Sequence, residues 1–313
     1  MGRSNLPDEL KNMHKIQRIS DRAYGLLLTV PVFAVLCMVM IFPLVRVIHL
    51  SFNDYKVFEG GRLVFVGFKN FRKAFEDSRF YNALKNTLLF AGVTVGFQMI
   101  FGMFIALLLD KQFWGRTVAR MAILLPWALP NVINALLFRW MFDGQFGLFN
   151  DILLRLGIIG KPVNWLVTPF GASFAIYFTQ IWKVSSLVGL ILLAGLQSIS
   201  RSIFESAKLD GAGSCTMFFK LTLPLLRPAI IVALIFRSLI ALQVFDVIYA
   251  MTKGGPGDAT ESMVYNIWMH IFAYNDFGYG SALSVLLSIM ILFFGFLYIR
   301  AFYRNESVMG EGA

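Results

Sequence analysis

The sequence predicts an all-α polytopic membrane protein with six transmembrane helices. Of its 313 residues, 58% are hydrophobic and only 15% are charged, a balance far from that of soluble domains. A bilayer core about 30 Å thick needs about 20 apolar residues per helix. Helices are expected because each satisfies its own backbone hydrogen bonds inside lipid. The segments that meet this length are 24–49, 84–109, 121–142, 171–196, 229–251 and 281–303.

The basic residues predict that both ends of the chain are cytoplasmic. An even number of spans places the two termini on one side of the membrane. With the termini inside, segments 1–23, 110–120 and 197–228 carry twelve Lys and Arg, against nine in the outside loops, as the positive-inside rule requires. We therefore expect an N-terminal arm (1–23), a transmembrane domain (24–303) that includes loop 197–228, and a tail (304–313). The net charge of +10 is dispersed, which argues against nucleic-acid binding.

Two local patterns refine this topology. Pro31 and Pro43 lie in the first predicted span, where we expect them to kink the helix. Between the first two spans, Phe68, Phe71 and Phe75 recur at helical spacing. This spacing predicts a short amphipathic helix on the outer surface, leading into the second span.

The chain carries no sequence motif for nucleotide hydrolysis. The phosphate loop GxxxxGK[ST] does not occur, and Gly160-Lys161 is followed by proline. The three histidines are scattered without metal-ligand spacing. We therefore expect this chain to be a non-enzyme that binds no cofactor, and any energy for its function to come from another subunit.

The stretch Glu205–Pro224 is the most informative part of the sequence. It reads ESAKLDGAGSCTMFFKLTLP and lies between two long apolar runs, so it faces water on one side of the membrane. Short helical pieces broken at glycine would form a rigid surface against which a partner could push. This composition indicates a mechanical contact, although an ordinary solvated connector has the same composition.

The spacing within this stretch resembles the EAA loop of binding-protein-dependent ABC importer permeases. The family pattern is E-A-A, three residues, G, nine residues, then I-x-L-P. Glu205–Ala207, Gly211 and Leu221–Pro224 occupy these positions, with Ser206 replacing the alanine at the second position and Leu221 replacing isoleucine. Both departures are mild.

Further blocks resemble the carbohydrate branch of that family, in particular the first permease subunit of maltose and glycerol-3-phosphate importers. The resemblance implies a type I ABC importer permease fold with six helices. The blocks are Val66–Phe71, Leu84–Thr87, Asn164–Leu166, Leu193–Ile199, Phe245–Thr260 and Phe277–Ser284.

This resemblance implies several partners. They are a second homologous permease subunit, two cytoplasmic ATPase subunits that bind ATP and Mg, and a soluble extracytoplasmic substrate-binding protein. The assembly would lie in the cytoplasmic (inner) membrane of a bacterium. Closure of the ATPase pair would tilt the two permease halves to give alternating access.

The resemblance also implies roles within the loop, which would fold as two short helices seated in a groove of the ATPase. Gly211 would be the corner, where a Cβ would obstruct the turn. Glu205 would make the polar contact, and Pro224 would end the loop and enter the fifth span. The expected ATPase-coupling residues are Glu205, Ser206, Ala207, Lys208, Asp210, Gly211 and Pro224.

Polar residues within the spans are candidates for the substrate path, because a charge at the bilayer centre costs at least about 2.5 kcal/mol. Sugar hydroxyls suit amide and carboxylate groups, and aromatic rings can stack on sugars. Two cations at similar depth would suit an anionic sugar. The candidates are Gln180, Lys183, Arg237, Gln243, Asp246 and Tyr249.

Helical spacing groups these candidates. Gln180 and Lys183 are three residues apart and share a face of the fourth span, as Gln243 and Asp246 would on the fifth. Arg237 is out of phase with Asp246, so we expect no pair between them. Lys183 and Arg237 have a structural alternative, namely hydrogen bonding to carbonyls or snorkelling from helix ends.

Two other function classes remain open at this point. A self-contained secondary transporter for a small polar solute predicts inverted repeats and intramembrane acids for ion coupling. Only Asp246 is a candidate acid within a span, and no matching halves are evident. An intramembrane enzyme needs a catalytic cluster at depth, and the sequence shows none. The permease is therefore the leading hypothesis.

Overall fold

The structure, a computed structural model, describes Gly25 and residues 28–310. For Glu59 and 301–310 it describes the backbone but not the side chains. The predicted arm, 1–23, lies outside the described residues. The helices are α1 Leu28–Ser51, α2 Lys69–Glu76, α3 Ser78–Asp110, α4 Arg116–Ala128, α5 Asn131–Met141, α6 Leu148–Arg155, α7 Pro169–Gln197, α8 Arg201–Leu209, α9 Ser214–Leu225, α10 Arg227–Ala241, α11 Asp246–Met251, α12 Met263–Trp268 and α13 Phe277–Gly310. Strands β1, Asn53–Asp54, and β2, Val64–Phe65, form one antiparallel hairpin.

Four helices are long and apolar enough to cross a membrane: α1, α3, α7 and α13. Two bent pairs complete the set, α4 with α5 at 90° and α9 with α10 at 64°. Counting each pair as one span gives the six predicted spans in the described part of the chain. Helix α13, the sixth span, runs to Gly310, so the predicted tail begins as a continuation of this helix.

The prediction of a continuous third span, 121–142, is wrong. Helix α4 ends at Ala128, and α5 begins at Asn131 after a right-angle bend. Pro130 explains the break, because proline disfavours helical geometry in the preceding residue and cannot donate a backbone hydrogen bond.

The prediction of a continuous fifth span, 229–251, is also wrong. Helix α10 ends at Ala241, and α11 begins only at Asp246. Between them Gln243 N donates to Ile240 O at 3.1 Å and Val244 N to Ala241 O at 3.3 Å. These tight turns redirect the chain, and Phe245, with φ −138° and ψ −58°, precedes the new helix.

The predicted short amphipathic helix is confirmed as α2, and a polar and a small side chain form its buried face. Asn70 and Ala74 are buried, whereas Phe68 and Phe75 are exposed. Asn70 Nδ2 donates to the carbonyls of Ser51 at 3.0 Å and Asn53 at 2.9 Å. The helix is thus fastened by an amide to the end of α1, while Phe75 is exposed and Phe71 is half-buried against Phe52.

The first span contains a helical irregularity at the predicted place. A π-helical turn, Cys37–Ile41, lies within α1 shortly before Pro43. Proline lacks a backbone N–H, and local π adjustment is one way for a transmembrane helix to satisfy the freed groups.

Helices α3 and α7 pack closely through two glycines. A Cβ on Gly102 would lie 2.5 Å from Val188 Cγ1, and one on Gly189 would lie 2.6 Å from Ile105 Cγ2. Small residues allow the two backbones to approach closely. Within lipid, which is as apolar as the side chains, this close packing drives helix association in place of the hydrophobic effect. This contact holds α3 against the helix that carries Gln180 and Lys183.

We expect Gly189→Val to destabilise the protein by about 1–3 kcal/mol, because the added atoms overpack this interface. Thermal unfolding of the purified chain in detergent measures the effect. Gly92→Val is the control, since Gly92 lies on the partner helix α3 and a Cβ there meets no atom within 4 Å. Equal loss in both variants would contradict the packing role.

Candidate substrate pocket and coupling loop

The two broken spans are joined by a hydrogen bond at the point where their second helices begin. Asn131, the first residue of α5, donates from Nδ2 to Asp246 Oδ2 at 2.8 Å, and Asp246 is the first residue of α11. A pocket of about 200 Å³ opens beside this contact. Its lining residues are Phe90, Asn131, Gln180, Ile240, Ala241, Gln243, Val244, Phe245, Asp246 and Val247.

Three of the six candidate path residues line this pocket: Gln180, Gln243 and Asp246. The prediction that Gln243 and Asp246 share a helix face is wrong, because Gln243 lies in the turn after α10. They converge because the break turns the chain around the pocket. Gln243 Nε2 also donates to Leu239 O at 2.9 Å, which ties its amide to the end of α10.

Lys183 takes the alternative, structural role, hydrogen bonding to backbone carbonyls. Its side chain is buried, and its ammonium donates to the carbonyl oxygens of Trp127, at 3.4 Å, and Leu129. These carbonyls belong to the end of α4, where the break removes their helical partners. A cation at a helix C-terminus is also favoured by the helix dipole. Lys183 therefore caps the broken third span.

Arg237 lies behind the pocket, not in its lining. It is only 4% exposed, and its Nε donates to Gln98 Oε1 at 3.1 Å. Gln98 Nε2 in turn donates to the backbone oxygen of Gln180 at 3.3 Å. This chain of contacts links α10, α3 and α7. Since Lys183 and Arg237 both bind protein groups, the expectation of two cations facing an anionic substrate is not supported.

Tyr249 lies outside the pocket lining. Its ring is stacked against Phe245, with centroids 5.3 Å apart, and its side chain is 38% exposed. Asn131 and Phe90 line the pocket but were not among our candidates. The dipeptide Pro130-Asn131 was the available signal, because proline marks helix ends and asparagine favours helix starts.

The predicted coupling loop consists of two short helices separated at Gly211. Helix α8 ends at Leu209 with a Schellman motif, in which Ala212 N donates to Ala207 O at 2.9 Å and Gly211 N to Lys208 O at 3.1 Å. Gly211 has φ +78°, and a Cβ there meets no atom within 4 Å. The expected obstruction is therefore wrong within this chain, and the left-handed backbone is what favours glycine.

Most of the predicted coupling residues are on the surface. Ala207 is half-buried beneath them. Pro224 does not end the loop, because it lies inside α9, and the 64° bend into α10 follows two residues later, at Leu226. The exposed members are Glu205, Ser206, Lys208, Asp210, Gly211 and Pro224.

Comparison with protein families places these features in a known group. Residues 98–307, which contain the loop and most of the pocket, match the model described as "Binding-protein-dependent transport system inner membrane component". The chain belongs to this family.

Individual relatives cover nearly the whole permease. It is 40% identical over 90% of its length to the sulfoquinovosyl glycerol transport system permease protein SmoG of Agrobacterium fabrum, 91% of which is covered. It is 38% identical over 92% of its length to the trehalose/maltose transport system permease protein MalF of Thermococcus litoralis, 97% of which is covered. Membership of a family described as an inner membrane component of binding-protein-dependent transport systems argues against a self-contained transporter.

The fold matches a chain of a solved ABC transporter. A chain from the crystal structure of a bacterial ABC transporter involved in import of the acidic polysaccharide alginate superposes with a TM-score of 0.80. The match covers 94% of this permease and 99% of that chain, at 22% identity. The type I importer permease fold predicted from the sequence is thereby confirmed.

A second polar cluster of the permease fastens the loop between α11 and α12. Glu261 is fully buried, and both its carboxylate oxygens accept from Arg79 Nε of α3, at 2.9 and 3.0 Å. Asn266 Nδ2 donates to the same carboxylate at 2.5 Å. Burial raises the pKa of Glu261 to about 6, against the opposing effect of Arg79. Sequence reasoning missed this pair because its members are 182 residues apart.

The same loop contacts the pocket backbone. Ser262, next to Glu261, donates from Oγ to the carbonyl oxygen of Val244 at 2.7 Å, and Val244 lines the pocket. Asn82 and Asn86 of α3 both donate to Asp258 O, at 2.7 and 3.2 Å. The loop thus connects the start of α3 to the break in the fifth span.

We expect Arg79→Ala to destabilise the permease by about 3 kcal/mol at neutral pH, because it leaves a buried carboxylate unpaired. Thermal unfolding in detergent measures the loss. The pKa of Glu261 is already raised, and loss of Arg79 raises it further. The deficit should therefore shrink as pH falls from about 7.5 to about 5.5, where Glu261 becomes protonated.

The double variant Arg79→Met with Glu261→Gln should recover most of the loss, since it buries no charge. Arg72→Ala is the control, because Arg72 and Glu76 form an exposed i,i+4 pair with little effect on stability. A deficit independent of pH in Arg79→Ala would contradict the role of Glu261.

Proposed function

We propose that this chain is one of two permease subunits of an ATP-driven carbohydrate importer. Two observations together support this proposal. The chain is similar over nearly its full length to SmoG and MalF, whose names specify sugars or sugar derivatives. It also has a polar pocket between two broken spans. A second, homologous permease subunit would complete the path at this pocket.

The pocket chemistry fits a sugar. Asp246 offers carboxylate acceptors, and the amides of Gln180, Gln243 and Asn131 each supply both donors and acceptors. Phe245 supplies a flat apolar wall. Small-molecule sites combine apolar and aromatic walls with a few placed polar groups in this way.

The energy would come from a separate ATPase pair that binds ATP and Mg. The exposed face of α8, with Glu205 and Ser206, would seat in the ATPase, and the sharp corner at Gly211 would keep α8 and α9 at a defined angle. Both termini would then lie in the cytoplasm of a bacterium. A substrate-binding protein would dock at the opposite end of the bundle.

Reconstitution tests this function. The complete complex in proteoliposomes, with its binding protein outside and ATP inside, should accumulate at least one of labelled sulfoquinovosyl glycerol, trehalose and maltose. This chain alone should transport none of them. Uptake by the chain alone, or no ATP-dependent uptake of any sugar by the complete complex, would overturn the proposal.

We expect Asp246→Asn to reduce the uptake rate about tenfold, because a hydrogen bond to a charged group contributes about 1.5–3 kcal/mol. Uptake assays in proteoliposomes measure this, with binding-protein affinity unchanged. The matched control is Asp151→Asn, since Asp151 is an exposed aspartate paired with Arg155. Equal rates for both variants would remove Asp246 from the substrate site.

We expect Gly211→Ala to weaken coupling several-fold, because a left-handed backbone costs a side chain about 1–2 kcal/mol. The measurement is ATPase stimulation by the loaded binding protein. Gly211→Asn should retain more stimulation, since asparagine tolerates this conformation. Gly213→Ala is the control, with φ −70° and open space around its Cβ. Equal loss at Gly213 would contradict the backbone argument.

A further inference from the structure

Four aromatic rings form a continuous row that starts inside the pocket. Phe245 lines the pocket and stacks on Tyr249 at 5.3 Å between centroids. Tyr249 meets Trp268 edge-on at 5.2 Å, and Trp268 lies 6.2 Å from Phe272. We call Phe245, Tyr249, Trp268 and Phe272 the aromatic row. Its members come from α11 and the residue before it, from α12, and from the π-helical turn that continues α12.

The aromatic row leads away from the coupling loop. The end of α3, at Asp110, shares a surface groove with Lys208 of the loop. The opposite end of α3 carries Arg79, whose Nη1 donates to Tyr274 Oη at 2.9 Å. Phe272 lies two residues before Tyr274, so the row extends from the pocket towards the end of the bundle remote from the loop.

The aromatic row borders the core at one end and is exposed at the other. Phe245 and Trp268 pack against the same buried core as Phe138 and Phe142. Tyr249 is 38% exposed, and Phe272 is 65% exposed. Exposed rings in unbroken contact with a polar pocket are available to a ligand on its way into that pocket.

We infer that the aromatic row is a second sugar-contacting surface, along which saccharide rings pass by stacking between the outer end of the bundle and the pocket. This inference rests on the proposed function and adds to it a site outside the pocket. The apolar C–H face of a sugar ring fits a flat aromatic face. Such contacts tolerate different sugars because they depend on ring shape more than on hydroxyl pattern.

The competing occupants of an exposed apolar surface are lipid and the second permease subunit. Both need apolar area, which leucine supplies as well as phenylalanine does. Stacking on a sugar needs a flat ring. Phe272→Leu and Phe272→Tyr therefore separate the two cases, since only the tyrosine keeps the aromatic face.

The experiment uses the complete complex in proteoliposomes and whichever of sulfoquinovosyl glycerol, trehalose or maltose the wild type accumulates fastest. Uptake rates are measured with saturating binding protein, and assembly is measured by co-purification of all subunits. We expect Phe272→Leu and Trp268→Leu to lower uptake about fivefold with assembly intact, and Phe272→Tyr to stay near wild type. Phe296→Leu is the control, a 59% exposed phenylalanine on α13, and should have no effect.

The alternative outcomes are distinct. Loss of subunit co-purification in the leucine variants would overturn the inference and assign the row to the subunit interface. Wild-type uptake in both leucine variants, or equal loss in leucine and tyrosine variants, would also overturn it. In each of these cases wild-type transport still supports the proposed function, which fails only if the wild-type complex accumulates none of the three sugars.

Discussion

The structure depends on how two broken spans satisfy the hydrogen bonds of their backbone carbonyl groups within a membrane. Each break frees carbonyl groups that lipid cannot hydrate, at a cost of several kcal/mol per unsatisfied group. Lys183 donates to the carbonyls at the end of α4, and Ser262 donates to the carbonyl of Val244 after α10. Both donors come from other elements. The pocket can exist at this place because distant side chains replace the missing helical partners.

This arrangement explains why the pocket is polar inside an apolar bundle. The breaks bring Asn131 and Asp246 together at the starts of two helices, and Gln180 approaches from an unbroken one. Behind them, Arg237 and Gln98 join three helices without reaching the lining. The cationic side chains and the carboxylate within the bundle therefore have different roles. The cations support the backbone and helix packing, and the carboxylate and amides remain available to a solute.

Contacts between distant residues and one bent pair of helices connect the pocket to the two ends of the bundle. Arg79 and Glu261 hold the loop beyond α11 against the start of α3, and the neighbouring Ser262 holds the break itself. At the other end, α9 continues through a single bend into α10, which ends at the pocket. A displacement applied to the coupling loop would reach the pocket through one helix. This is the geometry expected of rigid bodies moving about a central site.

The number of spans, the outer helix α2 and the two-helix loop around Gly211 could all be read from residue order, because hydrophobic length, helical period and turn chemistry are local properties. The pocket could not. Lys183 and Asp246 are both ionisable residues within predicted spans, and the sequence leaves the structural and the substrate-lining role open for Lys183, yet in the structure Lys183 caps a helix and Asp246 lines the pocket. Which role each takes depends on where Pro130 and the turn at 242–245 break their helices. Likewise the Arg79–Glu261 pair joins residues far apart in the chain, and only folding brings them within bonding distance.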